Sequence, residues 1–322
     1  MRLLFTSISD SGVDSNVQFA SQWLAQHGHT VHIVYPQVKY EVAPNHPNII
    51  YHAAPISRRY RVLMRLTRRW KRIRVGLSYF ARSHANAYVI TRLWRAQQFD
   101  LAELNELNFH VNLLANIPYI YKMHGADWLF SRYCEDANYY TGQMKHQWRM
   151  MWNARQVHVV SRSQAAFVAG ACNFSPRRIF VTPNPLDTRR YSPSDSTAHN
   201  QPPILMSTGR LEARKGHEIL VRAMPIVWAQ MPEVELLLHK GTGNYGIKEM
   251  QALLDEVQAG DRIKLLGYVP EETLIANYQR ADVYVTAARY ETFGYTILEA
   301  MACGRPVIAT DIGPIPDLVR HE

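Results

Sequence analysis

Short apolar runs alternate with longer amphipathic segments along most of the chain. In the first half, the run RLLFTSI precedes a polar loop that contains Gly12, and the amphipathic segment VQFASQWLAQHG leads to the run TVHIVYP. Short apolar runs are typical of buried strands, and apolar positions at helical spacing are typical of covering helices. The pattern predicts an α/β fold in which helices cover both faces of a parallel sheet.

The second half of the chain repeats this alternation after a polar segment. Residues 183–203 are rich in proline, serine, asparagine and threonine and lack apolar periodicity, so we predict a linker there. The later predicted strands are PILMSTG, VELLLHK, IKLLG, DVYVTA and PVIAT. We expect two doubly wound, Rossmann-like domains, residues 1–182 and 204–322, which face each other across a cleft and bind ligands beyond the carboxyl ends of their strands.

The composition of the chain indicates the class of protein to which it belongs and the compartment in which it works. Its 322 residues are 47% hydrophobic, as in an ordinary soluble globular protein. No apolar run approaches the roughly 20 residues that cross a bilayer, and the N-terminal apolar run breaks too early for a signal peptide. The three cysteines have no paired spacing. We therefore expect a cytoplasmic protein in a reducing compartment.

The net charge of +9 is concentrated in one segment, because residues 42–99 contain twelve Lys and Arg and neither Asp nor Glu. At 100° per residue, an amphipathic helix is predicted around residues 62–73. Its apolar side comprises Val62, Leu63, Leu66, Trp70 and Ile73, and its charged side comprises Arg61, Arg65, Arg68, Arg69 and Arg72. The apolar side either packs on the sheet, leaving solvated arginines, or joins the arginines in binding an anionic lipid surface or a phosphorylated acceptor. No nucleic-acid motif accompanies the segment, which makes nucleic acid the weaker partner.

Two cations follow the predicted strand ILMST in the segment GRLEARKGHEIL. Arg210 offers a planar fork and Lys215 a mobile point charge, and both suit an anionic phosphate ligand. Taken alone, the two residues are better interpreted as solvated surface charges.

Two glutamates lie in the apolar segment YETFGYTILEAMACGRP. Glu291 precedes a predicted helix that begins near Gly294, and Glu299 lies in the second turn of that helix. The helix N-terminus attracts phosphate, whereas an ionised carboxylate accepts hydrogen bonds from sugar hydroxyls. A ligand with a sugar at each end and a pyrophosphate between them would satisfy all of these groups.

Together these motifs closely resemble the retaining nucleotide-sugar glycosyltransferases of family 4, which have the GT-B fold. The resemblance is carried by GRLEARKG, ETFGYTILEAMACGRPVIATDIGP, GHTVHIVYP, MHGAD and TPNPLDTRRYSP. Relatives normally continue beyond DLVRHE, so we expect the second domain to be incomplete.

The resemblance implies a role for each matching residue. Arg210 and Lys215 would neutralise the donor pyrophosphate, Glu299 would bind the ribose, and Glu291 would contact the transferred sugar. His124 would lie across the cleft near the reacting sugar, although a lone histidine after a strand is also compatible with an ordinary buried residue. Further donor contacts are implied at Gly12, Val269, Phe293, Gly294, Tyr295 and Thr296.

The function implied by the resemblance is hexosyl transfer from a UDP- or GDP-sugar to a cell-envelope glycan or glycolipid, as in polysaccharide or lipopolysaccharide biosynthesis, at the inner face of the membrane. No Asp-x-Asp occurs, so we expect neither a metal nor another cofactor. Two alternatives within the same architecture are a sugar-nucleotide epimerase or hydrolase, and a non-catalytic nucleotide-binding remnant.

A different alternative is a dehydrogenase, because Gly241, Gly243 and Gly246 form a literal G-x-G-x-x-G after a predicted strand. The next strand, however, ends in Gly and Tyr where an acidic residue should hold the ribose. This favours a glycine-rich loop near the donor.

Overall fold

The structure of the chain is a computed structural model that describes residues 1–7, 15–36, 46–67, 69–105, 108, 110–111, 117–124, 147–194, 200–239 and 246–320. The chain forms two compact units, and the change from the first to the second falls between Pro185 and Leu186. Each unit contains one sheet whose paired strands are all parallel. The predicted α/β fold is therefore confirmed.

The first unit contains a seven-stranded sheet with the order β3-β2-β1-β4-β5-β6-β7. The strands are β1 (Arg2–Thr6), β2 (Thr30–Pro36), β3 (Ile49–Ala54), β4 (Leu101–Leu104), β5 (Ile120–Met123), β6 (Gln156–Val159) and β7 (Ile179–Val181). The helices with defined bounds are α1 (Ser15–Gln26), α2 (Arg58–Leu66), α3 (Lys71–Ala96) and α4 (Arg162–Ala171). The strand order reverses between β1 and β4, and doubly wound sheets bind ligands beyond the carboxyl ends of strands at such a point.

The second unit contains a five-stranded sheet with the order β10-β9-β8-β11-β12. The strands are β8 (Ile204–Thr208), β9 (Glu235–His239), β10 (Ile263–Leu266), β11 (Val283–Thr286) and β12 (Val307–Ala309). The helices are α5 (His217–Trp228), α6 (Ile247–Glu256), α7 (Glu271–Arg280), α8 (Tyr295–Ala302) and α9 (Ile315–Leu318). Here the order reverses between β8 and β11.

Both faces of the second sheet are covered, as successive residues of β9 show. Leu236 and Leu238 belong to a core cluster with residues of α5 and α6. Leu237, between them, belongs to a second cluster with residues of α7 and α8. Because successive side chains of a strand point to opposite faces, the continuous apolar run ELLLH packs against helices on both sides of the sheet.

The predicted linker, residues 183–203, includes positions that pack with the second unit. Tyr191 is buried in the same cluster as Tyr278, and the side-chain nitrogen of Asn200 donates a hydrogen bond of 2.9 Å to Asp282. The assignment of 183–203 as a linker, and with it the boundaries at 182 and 204, stays a prediction.

The single helix predicted around residues 62–73 is wrong, because the chain forms two helices there. Helix α2 ends at Leu66 and α3 begins at Lys71. The hydroxyl and the backbone N–H of Thr67 both donate to the carbonyl oxygen of Leu63, at 2.9 and 3.0 Å, and a hydroxyl bonded back to this carbonyl disfavours continuation of the helix. Arg68 and the side chain of Arg72 lie outside the described residues.

The turn between β8 and α5 depends on a glycine, and this can be tested. Gly216 has φ +64, and a Cβ atom at this position would lie 1.9 Å from the carbonyl oxygen of Ala287. Gly260 has a similar φ of +56 but open space around it, so alanine at either position carries the same left-handed strain of about 1–2 kcal/mol. We expect Gly216→Ala to lower the thermal unfolding midpoint clearly more than Gly260→Ala, measured by circular dichroism. Equal shifts would contradict the close approach of the two loops.

Candidate functional site

The loop between β8 and α5 carries an organised group of charges. The side chain of Glu212 accepts a hydrogen bond of 2.7 Å from Nε of Arg214 and forms an ion pair with Nη1 of Arg210 at 3.0 Å. The backbone N–H of Lys215 donates to the carbonyl oxygen of Glu212 at 2.8 Å. Both predicted phosphate-binding cations, Arg210 and Lys215, are thus held by the same glutamate, one through its side chain and the other through its backbone.

Lys215 and Glu291 form an ion pair at the carboxyl edge of the second sheet. Lys215 Nζ lies 2.6 Å from Glu291 Oε2, and each side chain is 12% exposed. The other oxygen, Oε1, accepts a hydrogen bond of 3.0 Å from the N–H of Thr292. Burial raises the pKa of Glu291, but the charge and hydrogen bond of Lys215 and the other donors outweigh it, so its pKa lies below the usual value. Glu291 is therefore ionised at neutral pH.

The two loops that carry this pair are held together by their backbones. The N–H of Arg289 donates a hydrogen bond of 2.8 Å to the carbonyl oxygen of Arg214. The guanidinium of Arg289 also bonds to the carbonyl oxygen of Ala213 and pairs with Glu218. Because β8 and β11 are neighbours in the sheet, residues 76 positions apart meet at the same edge.

Helix α8 begins beside this pair. Gly294 precedes the helix with φ +96, and a Cβ atom there would lie 2.9 Å from Leu318 Cδ1. Phe293 is buried and meets the ring of Tyr295 edge-on at 5.0 Å. The hydroxyl of Thr296 accepts a hydrogen bond of 2.8 Å from the buried Tyr284. The first backbone N–H groups of a helix and its positive dipole end favour an anion, so the positive end of α8 lies next to the charged loops.

Glu299 lies in the second turn of α8, among tyrosines. Its Oε2 atom accepts a hydrogen bond of 2.7 Å from the hydroxyl of Tyr278. Burial raises the pKa of Glu299, and this outweighs the lowering by the Tyr278 hydrogen bond and the Lys215 charge. Burial and the Glu299 charge also hold the pKa of Tyr278 well above its usual value. Tyr278 therefore stays protonated and donates to the carboxylate.

Two further predicted donor contacts, Val269 and Gly12, stay predictions. Val269 is half-buried between β10 and α7, and β9 separates β10 from β8 in the sheet. Gly12 lies outside the described residues, as do Gly241 and Gly243 of the glycine-rich alternative. Gly246 begins α6 with φ +69, and a Cβ atom there would lie 3.1 Å from the carbonyl oxygen of Leu211. The left-handed backbone and the nearby carbonyl oxygen of Leu211 therefore favour glycine at position 246.

His124 belongs to the first unit and directly follows β5. Its Nε2 atom lies 3.2 Å from Oδ1 of Asn105. The amide nitrogen of Asn105 donates to the carbonyl oxygen of Thr6, so Oδ1 can only accept, and Nε2 of His124 carries a hydrogen. Thr6 ends β1 and Asn105 follows β4, which places His124 near the reversal of strand order. Its predicted place near the donor sugar stays a prediction.

Sequence reasoning missed the residues that position the predicted ones. Asn105 holds the His124 ring, Tyr278 holds Glu299, and Arg289 holds the loop of Lys215. In the sequence each of these is an isolated polar residue without a motif, and only the contacts of the fold distinguish them from solvated or buried side chains. Glu212, between Arg210 and Lys215, could have been noticed as an anion within a cationic loop.

The part of the chain that the structure describes contains no group of three or more His, Cys, Asp or Glu side chains that could hold a metal ion. Likewise, none of the described helices has the length and apolar character needed to cross a membrane.

Several proteins with related sequences are known glycosyltransferases. The chain is 31% identical over 159 residues to D-inositol 3-phosphate glycosyltransferase of Geodermatophilus obscurus, a match that covers 45% of this chain and 35% of the relative. It is 28% identical over 145 residues to the gpi3 subunit of phosphatidylinositol N-acetylglucosaminyltransferase of Schizosaccharomyces pombe, covering 45% and 31%. Each match spans about a third of the length of these curated relatives.

Solved structures with the same fold cover nearly the whole chain. Sucrose-phosphate synthase from Thermosynechococcus elongatus superposes with a TM-score of 0.72 at 22% identity, covering 97% of this chain and 82% of that one. Anabaena HepE, solved in complex with UDP and glucose, superposes with a TM-score of 0.68 at 18% identity, covering 100% and 83%. These neighbours establish the GT-B type of α/β fold.

Two family models match the chain in succession. The model of Glycosyltransferase Family 4 matches residues 11–190, which is more than half of the chain, and that of Glycosyl transferases group 1 matches residues 189–322. The protein therefore belongs to glycosyltransferase family 4, within the group 1 glycosyl transferases.

Proposed function

We propose that the protein transfers a sugar, with retention of configuration, from a nucleoside diphosphate sugar to a glycan or glycolipid, without a metal ion. The observation that carries the proposal is the ion pair of Lys215 and Glu291 beside the N-terminus of α8, with Glu299 in the second turn of the same helix. These groups match the chemistry of a diphosphate with a sugar on either side. Membership of the family supports the same reaction, as does a HepE structure that holds UDP and glucose.

The donor site supplies its own positive charge in this proposal. When the bond between the anomeric carbon and the diphosphate breaks, negative charge develops on the leaving diphosphate. Lys215, Arg210 and the positive end of α8 stabilise that charge. The acceptor hydroxyl oxygen bonds to the same face of the anomeric carbon and releases its proton, and the products are a glycoside and a nucleoside diphosphate. Protein cations in this position perform the task that a metal performs in other transferases.

The donor site can be tested by calorimetry with UDP, GDP and ADP in excess EDTA. We expect one nucleotide to bind the wild type, and Lys215→Ala or Glu299→Ala to weaken that binding by about tenfold or more, because a hydrogen bond to a charged group is lost. Lys264→Ala is a matched control, since Lys264 also forms a 2.7 Å ion pair but lies on β10. Binding that requires Mg²⁺ or Mn²⁺ would overturn the metal-free donor site.

Turnover assays with and without an acceptor distinguish the proposed transferase from the alternative activities. A sugar-nucleotide epimerase or hydrolase converts the donor when no acceptor is present, whereas a transferase requires the acceptor. A non-catalytic remnant binds nucleotide and converts no donor with any acceptor. The anomeric configuration of a transferred sugar, read by nuclear magnetic resonance, decides between retention and inversion.

His124 provides a test on the first unit. We expect His124→Ala to reduce the transfer rate by about tenfold or more while the nucleotide dissociation constant changes by less than about twofold, because the residue acts on the reacting sugar. Steady-state kinetics and calorimetry on the same preparation measure both quantities. An unchanged transfer rate would show that His124 has only a structural role. Asn105→Ala, which removes the amide contact to the ring, should lower the rate in the same direction.

We also propose that helix α2 and the start of α3 bind an anionic membrane surface from the cytoplasmic side. None of the residues of α2 is buried, so its apolar side does not pack on the sheet. Leu66 is 73% and Trp70 63% exposed, and Val62, Leu63 and Ile73 are exposed as well. Exposed arginines flank them at positions 58, 59, 61, 65 and 69. Apolar side chains that enter the bilayer interface beside arginines that meet lipid phosphates are typical of interfacial helices.

Vesicle flotation tests this surface. We expect binding to phosphatidylcholine vesicles that contain phosphatidylglycerol, and not to phosphatidylcholine alone, with loss at high salt because the attraction is electrostatic. Leu66→Ser with Trp70→Ser should abolish flotation, while Ile226→Ser, a change at an exposed apolar residue of the second unit, should leave it intact. Absence of salt-sensitive binding by the wild type removes the membrane proposal and leaves a soluble phosphorylated acceptor as the partner of the arginines.

A further inference from the structure

In the ion pair of Lys215 and Glu291, each charged group already has a partner of opposite charge. Nζ of Lys215 lies 2.6 Å from Oε2 of Glu291, with each side chain 12% exposed, and Oε1 accepts from the N–H of Thr292. A sheltered pair of this kind is screened little by solvent. Any anion that approaches Lys215 therefore meets a carboxylate already bound to the ammonium.

The two neighbouring arginines, Arg210 and Arg214, also pair with a carboxylate. Both arginines contact Glu212. Arg210, Arg214 and Lys215 thus pair with two carboxylates, Glu212 of the same loop and Glu291 of the loop after β11, which leaves a balance of one positive charge. A diphosphate brings more negative charge than this balance supplies, so its binding is favoured when a carboxylate gives up its cation.

We propose that Glu291 competes with the donor diphosphate for Lys215. The hydroxyls of the transferred sugar then donate hydrogen bonds to Glu291 in place of the bond from Lys215 that it loses. This inference rests on the proposed donor site. A bare nucleoside diphosphate takes Lys215 and leaves a buried carboxylate short of a donor, which is unfavourable. A nucleoside diphosphate sugar takes Lys215 and presents hydroxyl donors to the same carboxylate. The pair thereby selects the sugar-bearing donor over the product that remains after transfer.

A simpler role for Glu291 makes the opposite prediction. If Glu291 only orients Lys215 for phosphate, its loss weakens the binding of every diphosphate ligand. The backbone of Lys215 is already fixed by its bond to Glu212 and by the Arg289–Arg214 contact. The fixed backbone keeps the ammonium within reach of the site when Glu291 is neutralised, and the two roles differ in the sign of one measured effect.

The experiment compares nucleoside diphosphates with their sugar derivatives by calorimetry in EDTA. The ligands are UDP, GDP and ADP, with UDP-glucose, GDP-mannose and ADP-glucose, and the proteins are the wild type, Glu291→Gln, Lys215→Ala and the double variant. We expect Glu291→Gln to bind the nucleoside diphosphate about fivefold or more tightly than the wild type and to lose most of its preference for the sugar derivative. In the Lys215→Ala background, Glu291→Gln should leave diphosphate affinity unchanged, because the two effects are coupled through the pair.

A charge-matched control separates competition from general electrostatics. Glu235→Gln removes one carboxylate from the start of β9, where Glu235 pairs with Lys264 at 2.7 Å, and should change diphosphate affinity by less than about twofold. Glu291→Asp keeps the charge, shortens the reach to Lys215 and should give an intermediate gain, which keeps the test available if the glutamine variant does not fold. Weaker or unchanged diphosphate binding by Glu291→Gln overturns the competition. Absence of nucleotide binding by the folded wild type instead overturns the proposed donor site itself.

Discussion

The loop after β8 can lie against the loop after β11 because residue 216 is a glycine. The position of its missing Cβ atom lies 1.9 Å from the carbonyl oxygen of Ala287, and no side chain fits in that space. This contact brings the backbones of the two loops together, so that Arg289 bonds to the carbonyl oxygen of Arg214. The side chains of Lys215 and Glu291 can meet only when those backbones have met.

Each unit of the protein holds a buried glutamate and lysine, but the two pairs lie in different settings. In the first unit, Glu103 on β4 contacts Lys122 at 3.8 Å and His158 at 2.9 Å, all on neighbouring strands. Burial raises the pKa of Glu103, but the hydrogen bond from His158 and the charge of Lys122 outweigh it, so the pKa lies below its usual value. The pair in the second unit lies on loops at the carboxyl edge, where parallel sheets bind ligands. Buried ion pairs add little net stability, so stability alone does not explain a pair in that place.

The buried tyrosines of the second unit connect its core to the candidate site. Tyr278 and Tyr284 belong to the cluster between the sheet and helices α7 and α8, and their hydroxyls reach Glu299 and Thr296. Packing of the rings therefore sets the orientation of polar groups on α8. The first unit uses Asn105 for the same purpose, since one amide joins the end of β1 to the ring of His124.

The sequence by itself determined the α/β class, the repetition of that pattern in two halves and the family, because alternating apolar runs and the motif around Glu291 are local properties of the chain. Local periodicity also misled, since it continued through Thr67, where a side-chain hydrogen bond to Leu63 accompanies the end of the helix. Strands β3 and β4 were not predicted, and in β4 the charged Glu103 interrupts the short apolar run. Only the tertiary structure decided which charges meet. Lys215 and Glu291 are 76 residues apart, and their contact follows from the adjacency of β8 and β11, a pairing between distant segments that no local pattern contains.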